Sequence, residues 1–238
     1  MISYIWKLTP RKQKEYILSF MPQFQQQLFK KLVSNKLRYA NVYDAKKCIF
    51  VHIPKTAGLS VCSGLLNINA VGHMPLGYYY RVLGDEKFNQ YYKFTFVRNP
   101  WDRVFSAYNY LRKGGISKDD LKWKPVFDQF NDFNDFVERW LDEENMFLIL
   151  HFMPQIYFLK SASGLIAFDF IGRFETLEED YEKLRLRFNG DPLKKVNITQ
   201  KTQTYQDAYN QASIDKVAKL YQKDIEILGY DFESTEYR

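Results

Sequence analysis

Residues 50–60, FVHIPKTAGLS, constrain the fold of this chain more than any other stretch. They continue a run of β-branched and aromatic residues, 47–51, that is typical of a buried strand. They precede residues 61–66, which are predicted to form a helix with Ser60 as its N-cap. A strand, a tight turn and a helix in this order gather backbone N–H groups and the positive end of a helix dipole, and Lys55 adds a full charge. The stretch therefore predicts a cradle for a phosphate-like anion.

The turn is not a Walker A loop, because Lys55 comes before Gly58 instead of directly after a glycine. The run from His52 to Gly58, HIPKTAG, resembles the 5′-phosphosulfate loop of carbohydrate sulfotransferases related to the chondroitin and heparan sulfate 2-O-sulfotransferases. The resemblance implies that the cofactor is 3′-phosphoadenosine 5′-phosphosulfate (PAPS). It also implies that this cofactor binds along the turn, at Lys55, Thr56, Ala57, Gly58, Leu59 and Ser60. Leu59 departs from the family pattern, which usually has threonine there, but its backbone amide can still donate.

A second candidate anion site follows residues 92–97, the strongest of the other predicted strands. An Asn-Pro pair starts a helix directly after Arg98, which brings this side chain beside a helix N-terminus. Helical spacing lets Ser106 converge with Arg98 on one phosphate, whereas Arg103 either joins them or pairs with a carboxylate. The run RNPWDRVFSAY resembles the 3′-phosphate motif of the same family, with Arg98 and Ser106 as ligands. Two such cradles suit an adenosine phosphorylated at both the 5′ and 3′ positions.

The resemblance covers about residues 47–232, because shorter motifs of the family follow in matching order: GH at 72–73, HFMPQ at 151–155, FDFIGRFE at 168–175 and DIEILGY at 224–230. It implies a saccharide hydroxyl as the acceptor. It also implies that the polar segment 196–205 folds over the nucleotide, with Lys201 or Thr202 near a phosphate. A solvated loop is the alternative interpretation of that segment, just as Trp101 either stacks on adenine or belongs to the core.

Sulfuryl transfer requires a donor to the leaving phosphate oxygen and a base for the acceptor hydroxyl. We assign the first role to Lys55, because its turn is expected to hold the 5′-phosphosulfate. A sulfuryl group carries less negative charge than a phosphoryl group, and no cluster in the sequence has metal-ligand spacing. We therefore expect a reaction that requires no metal.

The base is sought first among the three histidines of the chain. His73 lies near the end of a short strand and turn predicted for residues 68–75, and it resembles the base position of the family. His52, His151 and a carboxylate such as Glu175 or Asp102 are the alternatives.

Strands that alternate with helices predict an α/β fold, P-loop-like, with a mostly parallel central sheet flanked by helices. Residues 1–40 are predicted to be a basic amphipathic helical extension, and residues 41–238 the sulfotransferase domain. Further predictions concern a mobile loop over 112–130, a capping box that opens a helix at Thr176, and a last helix over 214–228.

The positive charge of the chain is concentrated near its start. Residues 1–47 hold ten Lys and Arg and two acidic residues, whereas the remainder holds 24 basic and 26 acidic residues. A body without excess positive charge is not expected to bind nucleic acid. The basic extension either packs on the domain or, through residues 1–38, makes weak contact with an anionic membrane surface or a partner. Since no apolar run approaches the length of a membrane span and no secretion signal is recognisable, we expect a cytoplasmic enzyme.

Two other functions compete with the sulfotransferase interpretation. The first is an ATP-dependent kinase of the P-loop class, which the order of glycine and lysine in the turn disfavours. The second is a non-catalytic protein that binds a nucleotide or a membrane. The joint presence of Lys55, His73, Arg98 and Ser106 argues against it.

Overall fold

The structure, a computed structural model, describes residues 39–160, 167–194 and 203–233, together with Gln13. In these residues, three parallel strands form one sheet in the order β1 (Cys48–Val51), β2 (Tyr92–Val97) and β3 (Phe170–Arg173). Val51 lies opposite Thr95, and Val97 lies opposite Arg173, so the carboxyl ends of the strands meet at one edge. The predicted α/β fold with a parallel sheet flanked by helices is confirmed.

The described helices flank this sheet and extend beyond its carboxyl edge. They are α1 (Ala40–Lys46), α2 (Gly58–Leu66), α3 (Leu76–Gln90), α4 (Pro100–Arg112), α5 (Lys118–Leu121), α6 (Lys124–Phe127), α7 (Phe133–Arg139), α8 (Gln155–Leu159), α9 (Leu177–Phe188), α10 (Gln211–Leu220) and α11 (Gln222–Leu228), with short 3₁₀ turns at Asn145–Phe147 and Gln206–Ala208. Helix α4 begins as predicted, because the Asn99 side chain accepts a hydrogen bond from the backbone N–H of Trp101 and Pro100 is the first helical residue.

Two hydrophobic clusters stabilise the chain. The first surrounds the sheet and buries all four residues of β1, as expected for a parallel strand covered on both faces. The second joins α4 to the helices that follow it and is rich in aromatic ring contacts, such as the stacking of Phe127 on Phe152 and the edge-on packing of Phe105 on Phe133. Because α4 starts at the end of β2, the carboxyl edge of the sheet lies where the two clusters meet.

The short strand predicted for residues 68–75 is wrong, because this segment runs irregularly to the start of α3. Its apolar residues Val71 and Met74 are buried, which is the signal that the sequence carried. Gly72 offers no side chain for strand packing and Pro75 no backbone donor, so the segment lacks what a ladder needs. Ser60 is not the N-cap of α2 either. The helix begins at Gly58, and Ser60 lies in its first turn.

The region predicted as a mobile loop, 112–130, contains the short helices α5 and α6. A capping box does occur, but at Ser117 and Asp120. At Thr176 none forms, because the hydroxyl bonds to Asp180 instead. The last predicted helix is split into α10 and α11 at Tyr221.

Several sequence-based predictions fall outside the described residues. Lys201 and Thr202 belong to this group, as does the membrane contact expected for residues 1–38. These remain predictions.

Candidate functional site

The turn between β1 and α2 closes on its own backbone. The Thr56 hydroxyl is fully buried and donates to the Ile53 carbonyl oxygen at 2.9 Å. Lys55 and Ala57 have φ values of 71° and 62°, a left-handed conformation that residues with a side chain rarely adopt. Turns of this kind direct N–H groups into a concavity, and the first turn of α2 adds more. The turn therefore has the backbone geometry of an anion cradle.

The His52 imidazole packs against Gly58 and so supports this turn. It is 5% exposed, and its Nδ1 lies 3.4 Å from the Val71 carbonyl oxygen. A Cβ atom on Gly58 would come within 1.9 Å of two atoms of the ring, so only glycine allows this contact. Burial lowers the pKa of His52 to about 4, which leaves the ring neutral near pH 7.

Replacing Gly58 with alanine is expected to destabilise the protein by about 1–3 kcal/mol, the usual cost of overpacking. It is also expected to weaken binding of 3′,5′-bisphosphoadenosine, because either the ring or the cradle must move. Thermal unfolding and a nucleotide titration measure the two effects. Gly84→Ala is the control: its Cβ would meet no atom within 4 Å, although its φ of 78° makes the substitution strained. The control should lose stability only, and an unchanged nucleotide affinity of Gly58→Ala would contradict the role of this contact.

Arg98 follows β2 directly, and its guanidinium reaches the Lys55 turn. Nη1 donates to the Lys55 carbonyl oxygen at 3.0 Å, while Nε and Nη2 pair with the Asp102 carboxylate at 2.9 and 2.8 Å. The guanidinium carbon lies 3.9 Å from the centre of the Phe174 ring, within range of a cation–π contact. These contacts use three of the five guanidinium N–H groups. The two candidate anion sites therefore touch each other at the carboxyl edge of the sheet.

Two buried residues that sequence reasoning did not single out as part of a site hold Arg98 in place. The Gln155 side-chain amide accepts from the Arg98 backbone N–H at 2.9 Å and donates to the Arg98 carbonyl oxygen at 2.8 Å. The Asp224 carboxylate accepts from the backbone N–H groups of Gln155 and Ile156, at the start of α8. Both side chains are fully buried. Their signal in the sequence was their place in short motifs that resemble the family.

Arg103 does not join Arg98 at the candidate phosphate site. It is 1% exposed and donates to the carbonyl oxygens of His151 and Met153, at 2.9 Å in the first case. Its role here is to hold the segment that carries His151. Ser106 lies half-buried two turns into α4, and the Trp101 ring is buried against Phe232, with its indole N–H bonded to the Ile214 carbonyl oxygen. The stacking of Trp101 on adenine is therefore not supported by its position.

The two carboxylates considered as bases are engaged elsewhere. Glu175 accepts from the backbone N–H of Asn99 at 2.6 Å and from the Tyr230 hydroxyl at 2.9 Å. Asp102 is 5% exposed and paired with Arg98. Both side chains thus stabilise the end of β2 and the start of α4.

All three histidines of the chain lie together beside the cradle, although the sequence offered them as rivals. The His73 ring centre is 4.1 Å from that of His52 and 6.4 Å from that of His151. The Nδ1 atom of His73 lies 2.9 Å from the His52 carbonyl oxygen. A carbonyl can only accept, so Nδ1 carries the proton and Nε2 is the basic nitrogen of the neutral ring.

Lys55 faces an aromatic and acidic wall formed by α4 and α5. Its Nζ lies 4.1 Å from the centre of the Tyr110 ring, and the Tyr110 hydroxyl donates to Asp120 Oδ2 at 2.7 Å. Asp120 Oδ1 lies 3.0 Å from Nε2 of His151. Burial, reinforced by the charge of Arg98, lowers the pKa of Lys55 to about 8, while Asp120 acts in the opposite direction. Lys55 is therefore a cation that can lose its proton just above neutral pH.

This fold and the contacts among Lys55, Arg98 and the histidines define a P-loop-like α/β protein with a basic, histidine-lined site at the carboxyl edge of its sheet. The chain belongs to the sulfotransferase family, whose sequence model matches residues 38–231. It is 30% identical over 172 residues to carbohydrate sulfotransferase 14 of Danio rerio. This alignment covers 60% of this chain and 46% of that protein. It is 25% identical over 172 residues to carbohydrate sulfotransferase 14 of Mus musculus. This second alignment covers 60% of this chain and 45% of that protein. No solved structure matches the chain significantly.

The chain spans about half the length of the curated relatives that it matches. The expectation of a cytoplasmic enzyme is wrong in the light of these relatives, which are Golgi-type enzymes. It rested on missing signals, and a missing signal carries no information on the compartment. Among the described helices, none has both the length and the apolar character needed to cross a bilayer. Within the described ranges, no group of three or more His, Cys, Asp or Glu side chains could hold a metal ion. The metal-free reaction remains a prediction.

Proposed function

We propose that this protein transfers the sulfuryl group of PAPS to a hydroxyl of a saccharide. The observation that carries the proposal is the hydrogen bond of 3.0 Å between Arg98 Nη1 and the Lys55 carbonyl oxygen, which joins the two predicted anion sites. The printed names of the two relatives, both carbohydrate sulfotransferases, support a saccharide as the acceptor.

The donor groups of the site fit a doubly phosphorylated nucleotide. In our proposal the backbone and side chains of Lys55 to Ser60 hold the 5′-phosphosulfate, and Arg98 with Ser106 holds the 3′-phosphate. Two N–H groups of Arg98 remain after its contacts with Asp102 and Lys55, enough for a bidentate contact with a phosphate. When bound, PAPS supplies the activated sulfuryl group and a bisphosphorylated leaving group.

His73 is proposed as the general base. Its Nδ1 is fixed on the His52 carbonyl oxygen, so Nε2 takes the proton of the acceptor hydroxyl as that oxygen attacks sulfur. Lys55, in its protonated form, donates to the phosphate oxygen that departs, and so stabilises the charge that develops there. Both groups lie at the same edge of the sheet, at the turn after β1 and in the segment before α3.

The test of this proposal is an assay with ³⁵S-labelled PAPS and a panel of saccharides that present free hydroxyl groups. The proposal predicts transfer of label to at least one saccharide, with release of 3′,5′-bisphosphoadenosine. Transfer of phosphate from ATP in the presence of Mg²⁺ would instead identify a kinase. Tight binding of the bisphosphate without any transfer would identify a non-catalytic protein.

A further inference from the structure

Asp120 is the centre of a hydrogen-bond network beside Lys55. Its carboxylate accepts from the Tyr110 hydroxyl at 2.7 Å, from the Ser117 hydroxyl at 2.7 Å and from the Ser117 backbone N–H at 3.1 Å, and it lies 3.0 Å from His151 Nε2. Its side chain is only 14% exposed. Burial acts to raise the pKa of Asp120, but the bonds from His151, Ser117 and Tyr110 outweigh this effect and hold the pKa well below its usual range. Asp120 is therefore a fixed negative charge.

We infer that Asp120 is a positioning residue for Lys55, which it keeps protonated and directed at the leaving oxygen, partly through Tyr110. This inference rests on the proposed function. The Tyr110 ring lies beneath the Lys55 ammonium at 4.1 Å, and Asp120 anchors the ring by its hydroxyl. The Tyr110 ring is fixed at one end by the backbone of α4 and at the other by its hydroxyl group. It therefore restricts the positions that the flexible Lys55 side chain can take.

The charges around Lys55 show why a carboxylate is needed there. Burial and the Arg98 cation both favour loss of the lysine proton, whereas Asp120 favours its retention. Asp102 lies on the same side but is paired with Arg98 at 2.8 Å. Burial also lowers the pKa of His151, although the hydrogen bond and charge of Asp120 oppose this. Two further groups face the site from the turn after β1 and the segment before α3, His52 and His73.

These charges decide the direction in which the pH profile of the activity shifts when Asp120 is replaced. Protonated Lys55 is the active form, so activity falls as the pH rises through the pKa of Lys55, about 8. Removing the negative charge of Asp120 lowers this pKa further. The alkaline limb of the pH profile must then move to lower pH, by about 0.5 to 1 pH unit for the loss of one close charge in a half-buried site.

The variant Asp120→Asn tests this, with kcat/KM measured from pH 6 to 10. Its alkaline limb is expected about 0.5 to 1 pH unit below that of the native enzyme. Asp120→Glu keeps the charge and should restore most of the native profile. The matched control is Asp119→Asn, since Asp119 lies on the same short helix, exposed and paired with Lys122 at 2.7 Å. This control should leave the profile in place. Equal shifts in Asp120→Asn and Asp120→Glu would show a merely structural role and overturn the inference.

A second measurement does not depend on turnover. Trace acetylation with acetic anhydride at a series of pH values, read by mass spectrometry, gives the titration curve of Lys55 itself. The curve of Asp120→Asn should lie at lower pH than the native curve, and coincident curves would overturn the inference.

If Asp120→Asn does not fold, Tyr110→Phe tests the same network. This variant keeps the ring but removes its hydrogen bond to Asp120. A Lys55 titration curve unchanged from the native one would then overturn the inference. If the native chain transfers no sulfate, the proposed function fails, and the acetylation result still decides the role of Asp120.

Discussion

Replacing His73 with alanine is expected to lower kcat by about two to four orders of magnitude, the usual contribution of a general base. The loss arises because the acceptor hydroxyl keeps its proton while it attacks sulfur. Binding of 3′,5′-bisphosphoadenosine should change little, since the ring serves the acceptor side of the reaction in our account. Steady-state kinetics with saturating PAPS and calorimetry with the bisphosphate measure the two quantities.

A second variant separates the loss of the general base from the loss of the hydrogen bond that His73 makes to the His52 carbonyl oxygen. His73→Asn retains an amide N–H, at the position of Nδ1, that can donate to the His52 carbonyl oxygen, as His73 Nδ1 does at 2.9 Å. It cannot act as a base, so we expect the same loss of kcat. If His73→Ala kept the native rate, the role would pass to another group. His151→Ala, His52→Ala, Glu175→Gln and Asp102→Asn would then identify it.

Replacing Arg98 with alanine is expected to have two large effects. The first concerns stability, because the Asp102 carboxylate, which is 5% exposed, would lose the guanidinium that pairs with it. Breaking a buried pair from one side typically costs about 3–5 kcal/mol. The second effect concerns recognition, because the variant loses the cation that we propose for the 3′-phosphate. Denaturant unfolding measures the first, and binding of nucleotides with and without a 3′-phosphate measures the second.

The double variant Arg98→Ala/Asp102→Ala distinguishes these effects. Removing both partners also removes the buried carboxylate that has lost its guanidinium, so the double variant should recover part of the lost stability. It should not recover the preference for a 3′-phosphate. If the Arg98 variant bound ligands with and without this phosphate as selectively as the native chain, the assignment of Arg98 would be wrong.

Local signals in the sequence predicted much of the site. The apolar run before Lys55 is β1, and the Asn-Pro pair after Arg98 begins α4. Signals of this kind act within a few residues, so they are legible without the fold. The same locality explains the errors: at Thr176 the hydroxyl found Asp180 instead of the helix backbone, and at Ser60 the helix had already begun.

The residues that hold Arg98 and His151 in place could not be predicted, because their contacts join parts of the chain that are distant in sequence. Gln155 bonds to the backbone of Arg98, 57 residues away, and Asp120 lies 31 residues from His151. Asp120 lies in a stretch rich in Gly, Lys and Asp that is typical of a loop, and only the fold brings it towards Lys55. The same holds for the histidines, whose mutual contact depends on the path of the chain before α3.

The central claim is that the Lys55 turn and Arg98 hold opposite ends of one doubly phosphorylated adenosine. Calorimetry that compares 3′,5′-bisphosphoadenosine with adenosine 5′-monophosphate tests it most directly. A charge-assisted contact with the 3′-phosphate is worth about 1.5–3 kcal/mol, so the bisphosphate should bind about 10 to 100 times more tightly. Equal affinities for the two nucleotides would contradict the account.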